Sequence, residues 1–340
     1  MGCVPSEQDF RDFLTTAIIP QDTILPSKVF WEPPLLRDQV NKGVCVGMGS
    51  GALKNIHEDV EGDFVDGGFS PLFIYSLCKS LDGRPNEEGT QIRIAMQVLK
   101  DIGITPEIDF PYDSYANQLT PFPIPTVSET LKTKASKYKI ASYSRIPDKN
   151  VDALKQALVK APVVAGVLVT SDFVNTEDGF VGIPNGYILG SHCILFIGFD
   201  NNLVHTYPNG QTKKGFIIFQ NSWGENWGNN GLGYIAYDEI CFQADNGNGF
   251  PFIFEMWSNV DLITTPQKQK YWRVQLYAFK EKSNAFLAVE KLKSQGFDTY
   301  ILEKDGFWKI QIGAFSIKNN ANLLAEKLKS LGYNPWVIYY

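Results

Sequence analysis

The 340-residue sequence predicts an α+β chain of more than one domain. Three observations carry this. Residues 69–112 space their apolar side chains as helices do. Residues 162–240 are rich in β-branched runs. Residues 272–302 and 308–338 repeat one another at an offset of 36. Helices followed by strands indicate segregated α+β architecture, and the length suffices for two sizeable cores.

The elements follow in order. Phe69-Ser-Pro-Leu-Phe-Ile-Tyr-Ser-Leu reads as a helix with Ser70 as N-cap and Pro71 at its first position. The stretch from Glu88 to Lys100 is amphipathic, with Ile92, Ala95, Met96 and Leu99 on one face. Gly47, Gly49 and Gly51 follow Val44-Cys45-Val46 on an expected helix, and each glycine costs up to about 1 kcal/mol of helix propensity relative to Ala. They mimic a nucleotide-binding turn, but the G-x-G-x-x-G spacing and a βαβ unit are missing.

Residues 216–234 read FIIFQNSWGENWGNNGLGY. Upstream lie Gln39-Val-Asn-Lys-Gly43-Val-Cys45 and Gly190-Ser-His192-Cys-Ile-Leu-Phe-Ile-Gly-Phe-Asp200. A lone Cys is usually a small buried hydrophobe, and a lone His on an apolar strand a satisfied core residue. Here Gln, Gly, Cys, His and Asn occur in one order with matching local context. Gln39 is six residues before Cys45 and Gly43 two before it; His192 follows 147 residues later and Asn221 another 29. This set resembles the papain-like cysteine peptidases. The resemblance implies a two-lobed fold, a helical lobe beside a β-barrel-like lobe, with the substrate in the cleft. It implies Cys45 as nucleophile, His192 as its base and acid, Asn221 as orienter of His192, and Gln39 with the Cys45 N–H as oxyanion donors. Cys45 should be a thiolate paired with an imidazolium, because a helix N-terminus and a cationic neighbour both favour the thiolate. Trp223 should cover the His–Asn hydrogen bond. Gly43, Gly89, Thr90 and Trp223 are the substrate-binding candidates, with Gly89 and Thr90 offering backbone to an extended peptide. Val40, Val44 and Val46 depart from the family pattern beside the nucleophile.

The opening Gly2-Cys-Val-Pro…Asp9-Phe-Arg-Asp12 resembles bacterial members of that family, and Leu25-Pro-Ser-Lys-Val-Phe-Trp31 resembles the start of a mature enzyme. Only about two dozen residues precede it, so no large inhibitory segment is expected, and a short strap stays open as an alternative. Asp109-Phe-Pro-Tyr112 resembles the family's aromatic-Pro-Tyr turn. Lys42 stands where many relatives place a disulfide cysteine. Cys3, Cys45, Cys78, Cys193 and Cys241 are odd in number, and no structural disulfide is expected.

The C-terminal repeat aligns Trp272-Arg-Val-Gln-Leu-Tyr-Ala-Phe279 with Trp308-Lys-Ile-Gln-Ile-Gly-Ala-Phe315, and 14 of 31 positions are identical. Each copy reads strand, helix, strand, and two copies make a ferredoxin-like βαββαβ fold. Val-Gln-X-X-Ala-Phe and Ala-Glu-X-Leu-X-X-X-Gly-aromatic resemble the SPOR domain, which implies binding to peptidoglycan glycan strands stripped of stem peptides. Strand alternation sends Val274 and Leu276 to the helices, and Arg273, Gln275 and Tyr277 to the open face with Lys309 and Gln311. These five are the glycan-binding candidates. The aromatic pattern of an RNA-binding sheet is missing.

The expected domains are a short segment 1–24, a peptidase domain 25–262, a linker 263–270 and a SPOR domain 271–340. A net charge of −6 does not suggest a nucleic-acid partner. No apolar run is long enough to span a membrane, no signal-peptide pattern is visible, and no His/Cys spacing suggests a metal; no cofactor is expected. His57 and His205 read as structural or exposed. The expectation is a bacterial or phage thiol peptidase that acts on peptide or protein substrates at the cell wall, reaching it by lysis or a non-standard route. Two rivals stay open: a catalytically silent, glycan-binding scaffold, and a cysteine-dependent wall amidase or transpeptidase.

Overall fold

The computed structural model describes residues 2–7, 9, 12, 25–182, 188–242, 251–261, 272–297, 299–304, 306–315 and 318–339. Most of the expected segment 1–24 and the expected linker 263–270 lie outside them. The chain forms two compact units.

The first unit opens with β1 (Lys28–Phe30) and a helical half: α1 (Cys45–Glu61), α2 (Pro71–Leu81), α3 (Ile92–Asp101), α4 (Asp113–Ala116) and α5 (Glu129–Ala135). Ser70 caps α2 by accepting from the Phe73 N–H at 3.1 Å, with Pro71 at the first position. α3 buries Ile92, Ala95, Met96 and Leu99, the face that the spacing predicts. The glycines of α1 have a packing reason: a Cβ on Gly47 would sit 2.3 Å from the Pro71 carbonyl oxygen. Only glycine lets α1 approach the start of α2 this closely, which offsets its poor helix propensity. Val44 is fully buried against Met48, Leu72, Tyr75, Tyr112 and Tyr115, so this departure beside the nucleophile is a core residue. All five cysteines are free thiols. Lys42 is buried, donates to the Gln118 carbonyl at 2.5 Å and lies over the Tyr115 ring. A hydrogen bond and a cation–π contact thus tie this loop down.

The second half comprises β2 (Ile140–Arg145), α6 (Val151–Lys160), β3 (Val163–Thr170), α7 (Ser171–Val174), β4 (Phe180–Val181), β5 (Ile188–Thr206), β6 (Thr212–Gln220), β7 (Leu232–Ala236), α8 (Tyr237–Ile240) and β8 (Ile253–Asp261). The sheet order is β2-β8-β3-β5-β6-β7-β4, with β1 also on β5. Every residue of β3 is buried, which explains why its sequence is a continuous apolar run rather than an alternation. β5 pairs with β1, β3 and β6, so His192 sits on a strand held from several sides, opposite Val167.

The second unit is β9 (Trp272–Phe279), α9 (Lys282–Ser294), β10 (Tyr300–Lys304), β11 (Phe307–Phe315), α10 (Lys318–Ser330) and β12 (Trp336–Tyr339). The sheet order β10-β11-β9-β12 is antiparallel throughout. This is the βαββαβ fold that the repeat predicts. Val274, Leu276, Ile310 and Ile312 pack on Ala285, Leu292, Ala321, Ala325 and Leu328. Gly296 and Gly332, one repeat apart, end the two helices at the same positive φ of 86°.

Tyr277 requires a correction. Simple alternation puts it on the open face, but β9 bulges at Leu276: Gln275 pairs with Gln311 while Tyr277 pairs with Ile310. A bulge adds one residue to one strand and shifts the alternation beyond it. Tyr277 therefore packs against the helix-side core. Arg273, Gln275, Lys309 and Gln311 remain on the open side.

Candidate active site

The site is built where the start of α1 meets β5 and the loop after β6. Cys45 is the first residue of α1, His192 lies on β5, and Asn221 follows β6. His192 Nε2 and Asn221 Oδ1 are 2.8 Å apart. The Trp223 ring stacks on His192 with centroids 4.7 Å apart and planes inclined by 25°. His192 Nδ1 is buried without a hydrogen-bond partner. The backbone N–H of Cys193, next to His192, points at the Cys45 sulfur, as do those of Gly2 and Val46. Cys45, His192, Asn221 and Trp223 are thus brought together.

Gln39 belongs to the same cluster. Its Oε1 accepts from the Ser222 hydroxyl at 2.7 Å, and its Nε2 donates to the Lys42 carbonyl at 2.7 Å. A side-chain amide has two N–H donors, so one can still face a developing oxyanion. The Tyr112 hydroxyl donates to the Gln39 carbonyl at 2.7 Å, which gives the aromatic-Pro-Tyr turn its task here. Ser222 was not singled out by sequence reasoning, although it is the Ser of Asn-Ser-Trp-Gly; its backbone N–H also donates to Asn221 Oδ1 at 2.8 Å. Val40, after Gln39, has φ 55°. A β-branched residue is strained there, and this is the position where the family pattern has Gly.

The substrate-binding candidates divide. The Gly43 N–H is held by Glu88 Oε1 at 3.0 Å. Gly89 is turned inward: its N–H donates to the Tyr75 hydroxyl at 3.1 Å and its carbonyl accepts from Lys79 Nζ at 3.0 Å. Thr90 alone presents backbone to a strand. Its N–H donates to the Gly2 carbonyl at 3.0 Å and its carbonyl accepts from the Val4 N–H at 2.8 Å. Cys3 forms a parallel bridge with Thr90. On its other side the Cys3 N–H reaches the Ser191 carbonyl at 3.4 Å, and the Ser191 hydroxyl donates to the Cys3 carbonyl. Residues 2–4 therefore lie as an extended strand between Thr90 and Ser191. The fit requires a small residue, because a Cβ on Gly2 would sit 2.1 Å from the Gly43 carbonyl oxygen. Asp9 and Asp12 fasten the segment to Arg93 at 2.9 and 2.8 Å.

This covering sets the charge state. Cys45 and His192 have no exposed surface. Burial pushes the Cys45 thiol up, against the three backbone N–H groups. Burial also pulls His192 down to about 4, against the Asn221 hydrogen bond. Burial thus favours the uncharged form of each group here, where the expectation is a thiolate–imidazolium pair, because desolvation outweighs local hydrogen bonding. Outside the cluster, His57 is 3.1 Å from Asp261 and His205 stacks on Phe180 at 3.9 Å. Among the described residues no group of His, Cys, Asp and Glu could hold a metal ion, and no helix is long and apolar enough to cross a membrane.

Residues 77–246 match the family model of the papain family cysteine proteases, and residues 268–339 match the SPOR domain. An uncharacterized peptidase C1-like protein of Acanthamoeba polyphaga mimivirus is 30% identical over 181 residues, 51% of this chain and 54% of that protein. Falcipain-2a of Plasmodium falciparum is 32% identical over 152 residues, 43% of this chain and 28% of its own. The matches thus span from about half to under a third of these relatives' lengths. The crystal structure of xylellain, a cysteine protease from Xylella fastidiosa, superposes with a TM-score of 0.63 at 26% identity, covering 77% of this chain and 96% of that one.

Proposed function

The chain belongs to the papain family of cysteine proteases and carries a SPOR domain, and from that premise we propose that it is a cysteine peptidase acting through Cys45, His192 and Asn221 at peptidoglycan. The observation that carries this is the His192–Asn221 hydrogen bond of 2.8 Å under Trp223, with Cys45 at the head of α1 beside it. The Asn221 oxygen at Nε2 leaves His192 Nδ1 for the thiol. With residues 2–4 out of the groove, water reaches both groups and the desolvation that keeps them neutral falls. Proton transfer from Cys45 to His192 then gives the nucleophilic thiolate. The thiolate attacks a carbonyl carbon, the Cys45 N–H and the Gln39 amide hold the oxyanion, and His192 protonates the leaving amine. Water, activated by His192, releases the acyl group and restores the thiol.

The SPOR domain holds this activity to peptidoglycan, and the substrate is a peptide bond in wall stem peptides or in a wall-associated protein. An epoxide-type thiol inhibitor tests the catalytic reading: it should label the wild type and not Cys45→Ala, and equal labelling of both sinks it. Mass spectrometry of digested peptidoglycan separates a cut peptide bond from a cut sugar–peptide amide.

A further inference from the structure

Three buried polar atoms of the peptidase unit have no hydrogen-bond partner in the protein and belong to residues around one cavity: Arg37 Nε, Gln220 Oε1 and Asn221 Nδ2. The cavity measures about 20 Å³ and lies behind the active site, where Met48 and Gly49 of α1 and Phe69 face β5 and the end of β6. The three atoms complement one another, since two are N–H donors and one is a carbonyl acceptor. Each belongs to a side chain whose other polar atoms are already held. Arg37 Nη2 donates to the Gly67 carbonyl at 2.5 Å and lies 3.5 Å from Glu107. Gln220 Nε2 donates to the Leu35 carbonyl at 2.9 Å. Asn221 Oδ1 faces His192 Nε2 and the Ser222 N–H, both at 2.8 Å. The backbone brings the same segments together: the Gln39 N–H donates to the Ser222 carbonyl at 2.9 Å, and the Gly224 N–H to the Arg37 carbonyl at 3.2 Å. A buried polar group without a partner is costly. A bound water needs about 10–15 Å³ and two to four polar partners, and this cavity offers both.

Resting on the reading of Asn221 as the residue that orients His192, we propose that one water is bound in this cavity, accepting hydrogen bonds from Arg37 Nε–H and Asn221 Nδ2–H and donating one to Gln220 Oε1, and that Gln220 is thereby a positioning residue for the peptidase reaction. The need lies in the amide of Asn221. Its two ends have nearly the same shape, and only the oxygen can accept from His192 Nε2–H. Holding the Nδ2 end on a water whose own orientation is set by Gln220 keeps the oxygen toward the imidazole. His192 Nδ1 is then the acceptor of the ring and serves the thiol. Gln220 acts through the water and Asn221 and not on the substrate. Without its acceptor the amide turns more freely, and the imidazolium is held less well.

The test pairs a high-resolution crystal structure of the full chain with kinetics on a peptide substrate. The structure should show a water within about 3.2 Å of all three atoms, and a dry cavity overturns the proposal. Gln220→Met removes the acceptor at similar length. It should lower kcat about tenfold with KM within about twofold, since a catalytic group misplaced by about 1 Å can cost about 100-fold and a loosened one costs less. The alkaline limb of the kcat/KM profile, where His192 loses its proton, should move to lower pH, because a weaker bond to Asn221 favours the imidazolium less. Gln220→Glu keeps an acceptor for the water and, as a neutral acid, the donor to Leu35, so it should stay within about threefold of the parent. Parental kcat and an unshifted limb in Gln220→Met overturn the role of Gln220, as does an equal loss in Gln220→Glu. If Gln220→Met lacks the parent's melting transition, Gln220→Leu takes its place under the same readouts, and the water in the unmutated chain is tested without any variant. Equal activity of Asn221→Ala and the parent overturns the catalytic reading together with the role of Gln220, whereas loss in Asn221→Ala beside a parental Gln220→Met overturns that role alone.

Discussion

The two functional regions are built in opposite ways. The peptidase site draws single-copy residues from Gln39 to Asn221 and buries them; no member has a substitute. The SPOR face obtains its residues by duplication. The first arrangement concentrates chemistry on one sulfur and one imidazole, so single substitutions should be severe. The second carries equivalent residues in two copies, such as Gln275 and Gln311, so each substitution should be partial.

The largest effect should break the first region and spare the second. Cys45→Ala should lower turnover by about 10,000-fold or more, as loss of a nucleophile does in other peptidases, while co-sedimentation with stripped glycan is unchanged. Loss of both would show that the regions do not act separately. Gln39→Ala should reduce kcat/KM about 100-fold, the usual result of losing one oxyanion donor; kinetics with a peptide substrate would measure it.

In Cys45→Ala, where no thiol hands its proton to His192, acid should act on the covering strand. Burial depresses His192 to about 4 in the covered form, whereas an exposed imidazole titrates near 6.5. Between those values the open form takes up a proton that the covered form refuses. The covered form's advantage is thus complete above about pH 6.5 and declines as pH falls toward 4. Lowering pH from 7.5 to 5 should shift the equilibrium toward the open form roughly tenfold or more. Limited proteolysis of residues 2–7 across pH would report it, and protection independent of pH would contradict it. The smallest effect concerns Val40. Val40→Gly should relieve the strain at φ 55° and raise stability by about 1 kcal/mol, seen as a higher midpoint in urea. No gain would mean that the Val40 side chain repays its strain.

Much of the site is legible in the sequence because its chemistry needs particular residue types in particular local contexts. Gln39, Cys45, His192, Asn221 and Trp223 carry their surroundings with them, and the structure gathers them. Gly89 and Thr90 are adjacent, and only the inward hydrogen bonds of Gly89, to the Tyr75 hydroxyl and from Lys79 Nζ, decide that Thr90 presents the backbone edge. Tyr277 is misread by alternation because a bulge is a property of the strand pair, not of one strand.

The sequence by itself determined the order of elements, the duplicated domain and the candidates for the reactive groups, because these rest on local pattern and side-chain chemistry. Tertiary structure alone decided that residues 2–4 lie between Thr90 and Ser191, that burial favours the uncharged forms of Cys45 and His192, and that a bulge turns Tyr277 inward. Those outcomes depend on burial and strand register, which arise only when distant segments meet.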